Sequence, residues 1–223
     1  MFRLSKRLSL AASYVKTGSS VCDVGTDHGY LPVFLYKSGI CKSVCATEIN
    51  KKPLNNAKST FEKYNADIDI YLCDGIEAVP KDKIQTVIIT GMGGDVISGI
   101  IDRAPVLFKE GINLILQPMT AAKELREYLS SKGFKVCREE AVVDTNRVYS
   151  VMDVSYTGVS YTLSPAEYRI GILKPDSEAN TVYIKRQKRL IEELLKKLEN
   201  VPDKRDLYEF EKKALEQINN YLG

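Results

Sequence analysis

Histidine is almost missing from this sequence: His28 is the one copy among 223 residues. Cysteine is sparse as well, with five residues at 22, 41, 45, 73 and 137, an odd number with no C-x-x-C pair. A zinc centre needs several nitrogen or sulfur ligands at fixed spacing, so this composition argues against one, and no metal is expected. Cys22, Cys45, Cys73 and Cys137 fall in or beside strand-like runs, and most of them read as small core residues of a reduced, cytoplasmic protein. No apolar run reaches the length of a membrane span, so no membrane partner is expected. The opening MFRLSKRLSLAASYV is basic but lacks the long apolar centre of a signal peptide. Strong charge of one sign is also missing. A net charge of +3 permits nucleic-acid binding without arguing for it. The hydrophobic share of 44% and charged share of 27% are those of an ordinary globular protein.

What is present centres on one stretch, Ser20 to Pro32, reading SVCDVGTDHGYLP. The apolar run through Val24 stops at Gly25, two glycines bracket Thr26-Asp27-His28, and helical spacing begins with Leu31, Phe34 and Leu35. Strand, glycine-bearing turn and helix form the first unit of a nucleotide-binding α/β sheet. The dinucleotide pattern is not met, because Asp27 stands where G-x-G-x-x-G needs its second glycine. A carboxylate there repels a pyrophosphate. It suits a cofactor bearing an amino group and a positive sulfur, and Asp23-x-Gly25-x-Asp27-x-Gly29 departs by one residue from the turn D-x-G-x-G-x-G of S-adenosylmethionine-dependent methyltransferases. The plain alternative is a tight turn with incidental polar residues.

The remaining chain alternates strands and helices. The spacing predicts a helix over 3–15, strands at 20–24, 44–49, 68–73 and 86–90, and a short fifth strand at 114–116, with helices between them. Strands at 134–143 and 147–156, joined by Asp144-Thr145-Asn146, read as an antiparallel pair. This pattern predicts a parallel doubly wound sheet with a terminal antiparallel pair, and a methyltransferase domain over 1–158. Residues 159–223 are predicted to form a separate C-terminal unit. Ser164-Pro165-Ala166-Glu167 is a capping-box helix start. Apolar residues at three- and four-residue steps on either side of Asn200-Val201-Pro202-Asp203 then predict a coiled-coil-like helical hairpin. Its apolar stripe also offers a surface for weak self-association.

Ligands of such sheets sit beyond the carboxyl ends of the strands. The candidate cofactor set is therefore Asp23, Gly25, Thr26, Asp27, His28 and Gly29 on the first turn, followed by Glu48 and Ile49, then Asp74 and Gly75. Gly91, Met92 and Gly93 complete it after the fourth strand. Glu48 is placed to accept from both ribose hydroxyls, Asp74 from an adenine amino group, and Ile49 to face the ring. Gly91-Met92-Gly93-Gly94 occupies the position where amino-group methyltransferases carry an Asn/Asp-Pro-Pro-aromatic clamp, and the clamp is absent. The glycines instead open space for a planar base; taken singly they also suit a tight turn into a helix. Arg3, Lys6 and Arg7 near the start, and Lys185, Arg186, Lys188 and Arg189 in the hairpin, are candidate phosphate contacts, each also readable as a solvated helix face.

Together, SVCDVGTDHGYLP, LSKRL, CATEIN, CDG, TGMGG and the dipeptide QP resemble the bacterial tRNA (adenine-22-N1)-methyltransferases, over essentially the whole chain. The resemblance implies a class I methyltransferase fold and S-adenosylmethionine as donor, leaving S-adenosylhomocysteine. It also implies N1 of an adenine in the D-arm of tRNA as acceptor. Neutral N1 already carries its lone pair, so no base is needed before attack, and the product is a cation that a carboxylate stabilises. Asp27 is the first candidate for that carboxylate and Asp95 the second, with His28 a candidate for proton transfer. Two other readings stay open at this level: a methyltransferase of the same fold acting on a small molecule, and a non-catalytic RNA-binding protein that keeps the cofactor pocket.

Overall fold

The computed structural model describes residues 3–223. Five strands, β1 (Ser20–Val24), β2 (Ser43–Glu48), β3 (Asp69–Leu72), β4 (Thr86–Gly93) and β5 (Asn113–Thr120), run parallel. The last two, β6 (Phe134–Asp144) and β7 (Arg147–Tyr156), run antiparallel, with β7 inserted between β5 and β6. The order is β3-β2-β1-β4-β5-β7-β6. The chain reverses direction of travel across the sheet between β1 and β4, which opens a crevice at the carboxyl ends of those strands.

Helices α1 (Lys6–Ser13), α2 (Tyr30–Ser38) and α3 (Lys51–Lys63) cover one face; α4 (Gly94–Asp102) and α5 (Ala122–Ser131) cover the other. Successive β4 residues show why both faces are needed. Val87 and Ile89 enter the core under α4 and α5, whereas Ile88 enters the one under α1 to α3. Side chains alternate across a strand, so a strand covered on both sides reads as an unbroken apolar run.

Helices α6 (Pro165–Ile170), α7 (Glu178–Leu198) and α8 (Arg205–Leu222) follow. The Ser164 capping box is formed: Ser164 Oγ accepts from Glu167 N–H at 3.3 Å, and Glu167 Oε2 accepts from Ser164 N–H at 2.6 Å. These helices share a third core with Ala141 of β6 and Val148 of β7, so the hairpin is seated on the sheet along its inner half. The seam is ionic as well. Arg126 of α5 is buried; its Nη2 donates to Glu139 Oε1 at 2.6 Å and to the Tyr183 hydroxyl at 3.3 Å. Its Nη1 donates to the carbonyl oxygens of Tyr168 and Arg169. Fully buried Glu211 of α8 accepts from Lys123 Nζ at 3.1 Å and from the Arg169 guanidinium.

The structure corrects the strand ends and two cysteines. β4 runs on to Gly93 and β5 to Thr120, past the expected ends at Thr90 and Leu116. Pairing continues through a register shift between Thr90 and Gly93, and Pro118, which lacks an N–H, sits in this irregular stretch opposite Met92. Cys22 and Cys45 are core residues, but Cys73 is half-buried and Cys137 lies exposed on the edge strand β6.

Candidate active site

The turn after β1 is shaped by backbone conformation before any ligand is considered. Gly25 (φ 69°) and Gly29 (φ 71°) are left-handed, and so is Asp27 (φ 53°). Aspartate tolerates that region better than most side chains, and the strain it stores is of the kind found at functional sites. The turn is stitched to the end of β2: the N–H groups of Gly25 and Thr26 both donate to the Thr47 carbonyl, at 3.0 and 3.2 Å. The Asp27 N–H donates to Glu48 Oε1 at 2.6 Å, so one strand-end acid fixes the loop that carries the next. A Cβ on Gly25 would stand 2.1 Å from Met92 Cε, the movable end of a flexible side chain, so the left-handed backbone rather than space is what favours glycine there.

Asp23 is buried at the end of β1. Burial pushes its carboxyl up to about 7; the Thr26 hydroxyl pulls the other way, Glu48 adds to the rise, and Arg7 opposes it. Asp27 and His28 are by contrast largely exposed, with Asp27 Oδ2 3.6 Å from His28 Nε2.

These residues converge on a cavity of about 570 Å3. Asp23, Gly25, Thr26, Asp27, His28 and Gly91 all line it, and the α1 end closes it with Arg3, Leu4 and Arg7. The Arg7 Nη1 donates to Oε1 of Gln117, a buried residue of β5, at 3.0 Å. Its backbone N–H and Nε point to Asp144 Oδ2 at the β6–β7 turn, at 3.4 and 3.9 Å. A Cβ on Gly91 would lie 3.4 Å from Arg7 Nη1, an ordinary contact, so its left-handed backbone (φ 81°) is what favours glycine there.

The other candidates stand along the same strand-end edge without lining this cavity. Glu48 reaches the turn through Asp27, and Ile49 is 60% exposed just past β2. Asp74 is half-exposed and paired with Arg103 at 2.8 Å, and Gly75 packs on Ile100. Met92 packs on Gly25, while Gly93 lies against Asp95 and Thr120. The basic set divides. Arg3 and Lys6 are exposed, Arg7 is held inside the network just described, and Lys185, Arg186 and Arg189 face a second depression. Lys188 lies 4.0 Å from Glu192, one helical turn on.

Sequence reasoning marked Arg7 as a phosphate contact and Gln117 within the QP dipeptide, but missed Arg7 as a wall of the cavity and Gln117 as its anchor. The two are 110 positions apart, and only the fold brings them together. Tyr30 and Tyr64, which also line the cavity, were missed as well. Among the described residues no group of acids, histidine and cysteines is placed to hold a metal ion, and no helix is long and apolar enough to cross a membrane.

A doubly wound sheet of this order, with an acid-lined cavity at its reversal point and glycines facing it, defines a class I methyltransferase, and residues 4–152 match the methyltransferase-domain family. The chain is 31% identical over 167 residues to the tRNA (adenine(22)-N(1))-methyltransferase of Bacillus subtilis (strain 168), covering 71% of this chain and 70% of that protein. Streptococcus pneumoniae Sp1610, solved in complex with S-adenosyl-L-methionine, is 30% identical with a TM-score of 0.80, over 96% of this chain and 100% of that one. M. capricolum TrmK in complex with S-adenosyl-homocysteine is 26% identical with a TM-score of 0.79, over 99% and 98%. The chain belongs to the tRNA (adenine-22-N1)-methyltransferase family.

Proposed function

We propose that this protein transfers a methyl group from S-adenosylmethionine to N1 of an adenine in tRNA, at position 22 of the D-arm. The observation that carries the reading is the cavity itself. A buried acid (Asp23), an exposed acid (Asp27) and a side-chain-free wall (Gly91) face one space large enough for a base and the reactive end of a cofactor.

The donor set fits that cofactor. Asp23 is buried, and among the described residues no cation is bound directly to it, so an ammonium group brought alongside would restore its charged form. Glu48 uses Oε1 on the Asp27 backbone, which leaves Oε2 for ribose hydroxyls, and exposed Ile49 offers an apolar face to adenine. Bound there, S-adenosylmethionine supplies a sulfonium methyl group; N1 gains the methyl and a positive charge, and S-adenosylhomocysteine remains.

The chain's own residues then position and stabilise. The target adenine leaves its stack to enter the cavity, as bases must when chemistry occurs on them. Asp27 holds a carboxylate where the positive charge of the product grows. Asp95, against Gly93, is the second acid in range of that corner, and His28 is the group available to move a proton once the product forms. Arg3 and Lys6, exposed at the α1 end, are contacts for the RNA backbone. The division at residue 158 belongs to the same proposal, with catalysis before it and substrate docking after it. A tRNA substrate places the reaction in the cytoplasm.

The test incubates the full chain with labelled S-adenosylmethionine and unmodified tRNA and maps the product by mass and reverse-transcription stops. Methylation at N1 blocks pairing, so a stop at position 22 is the expected result. Transfer only to small acceptors, or cofactor binding with no transfer, would overturn it in favour of the two other readings.

A further inference from the structure

A second depression, of about 810 Å3, opens beyond the carboxyl end of β5. One wall is the tip of the β6–β7 hairpin, with Asn146, Arg147 and Tyr149. The opposite wall is the first half of α7, with Lys185, Arg186 and Arg189. Met119 and Thr120, the last residues of β5, complete it.

Its charge is one-sided. Arg147, Lys185, Arg186 and Arg189 line it, and among the described residues no acid does. Asp144, the nearest acid on the hairpin tip, is turned to Arg7. Arg189 has Glu193 at 3.6 Å one helical turn away, a largely exposed pair that water and salt weaken. The other three cations are exposed. A single small anion would be held weakly against water by such side chains, whereas a chain bearing several phosphates engages them together and releases its own counterions.

The depression also lies beside the catalytic corner, one strand pair away. Thr120 is in register with Gly93 across β4 and β5. Its Oγ1 lies 3.1 Å, and Asp95 Oδ1 2.5 Å, from where a Cβ on Gly93 would stand. Thr120, which walls the depression, is therefore a direct neighbour of Gly93 and Asp95 at the edge of the catalytic corner.

We propose that this depression seats the RNA backbone on one side of the target adenine, with Arg147, Lys185 and Arg186 on phosphates and Tyr149 offering its ring to a neighbouring base. The proposal rests on the reading of the protein as a tRNA methyltransferase and adds where the polymer lies. Arg147 is a new member of the contact set, supplied by the catalytic half of the chain, so the substrate is held by both halves at once. Guanidinium forks match phosphate oxygens in two-point contacts, and base–aromatic stacking is indifferent to sequence.

The test measures binding of unmodified tRNA to the full chain, saturated with S-adenosylhomocysteine, over a series of salt concentrations. Arg147→Gln with Lys185→Gln should flatten the slope of log affinity against log salt by about 1.5 to 2 and weaken binding roughly 10- to 100-fold at ~0.1 M salt. Lys212→Gln with Lys213→Gln, a matched loss of charge on exposed α8 positions, should leave the slope within about half a unit of the unmutated chain. Tyr149→Ala should weaken binding by up to about tenfold with the slope unchanged, because stacking releases no counterions. An unchanged slope in the first variant, or equal flattening in the α8 control, would overturn the proposal. Should the first variant fail to fold, photo-crosslinking of the unmutated protein to thiouridine-substituted tRNA decides. Crosslinks on the β6–β7 tip and the start of α7 support it, and crosslinks confined to α8 overturn it. The function itself is read separately, from methyl transfer by the unmutated chain.

Discussion

Of the acids buried in this molecule, two stand among opposite neighbours. Glu139, on β6, is sealed against the Arg126 guanidinium, the Ile172 N–H and the end of α6, and Arg126 is held charged by that contact. Asp23, at the end of β1, is equally hidden, yet a hydroxyl and a more distant guanidinium are what oppose its burial, and its carboxyl is pushed up to about 7. An acid buried with its counter-charge locks two parts of a protein together. An acid buried without one is held in readiness for a cation from outside. The seam and the cavity thus use one residue chemistry for two ends, and the presence of a resident partner separates them.

The largest expected effect sharpens the structural half of that contrast. Glu139→Leu leaves Arg126 charged and unpaired in the seam, and should cost about 3–5 kcal/mol in chemical denaturation, the usual penalty for breaking a buried pair from one side. A loss below about 1 kcal/mol would show that the seam is not held by its ions. On the catalytic side, Asp27→Ala should lower turnover on tRNA by about 100-fold or more while calorimetric uptake of S-adenosylhomocysteine persists, the scale for removing one preorganised electrostatic contact. Near-normal turnover would remove Asp27 from the chemistry.

The pH response distinguishes the two acids most directly. The Asp23 carboxyl is raised in the folded state relative to its unfolded value near 4, so its contribution to stability is full below about pH 4 and is lost as pH rises through about 7. Without cofactor, unfolding free energy should therefore fall by about 3 kcal/mol from pH 5 to pH 8 relative to Asp23→Asn, which lacks the titration. If the two proteins run parallel across that range, Asp23 is not the strained acid described. The smallest effect is assigned to Asp74. Half-exposed and paired with Arg103, it should change cofactor affinity less than about fivefold when replaced by alanine, in line with other solvent-facing ion pairs.

The sequence carried the local half of this picture. Gly25, Asp27 and Gly29 announce the turn because backbone conformation there depends on neighbouring residues, and Ser164 with Glu167 announces its helix for the same reason. Acids at successive strand ends could be placed because parallel topology fixes which ends meet. The contacts that span the fold were not legible. Nothing near Arg7 points to Gln117, and nothing near Arg126 points to the carbonyls of Tyr168 and Arg169. The far ends of β4 and β5 were hidden in another way: glycine and proline argue locally against strand, and pairing across the sheet overrides them. Cys137 sits in a strand-like run, yet it lies exposed on the edge strand β6.

Gly171 carries a last consequence. Its left-handed backbone brings the chain against the seam so closely that a methyl group there would overlap the Glu139 carboxylate. The C-terminal helices are consequently not an interchangeable attachment. A lineage that exchanged them for another helical arm would have to replace the charged pair beneath at the same moment, so the two parts are expected to be inherited, and to melt, as one.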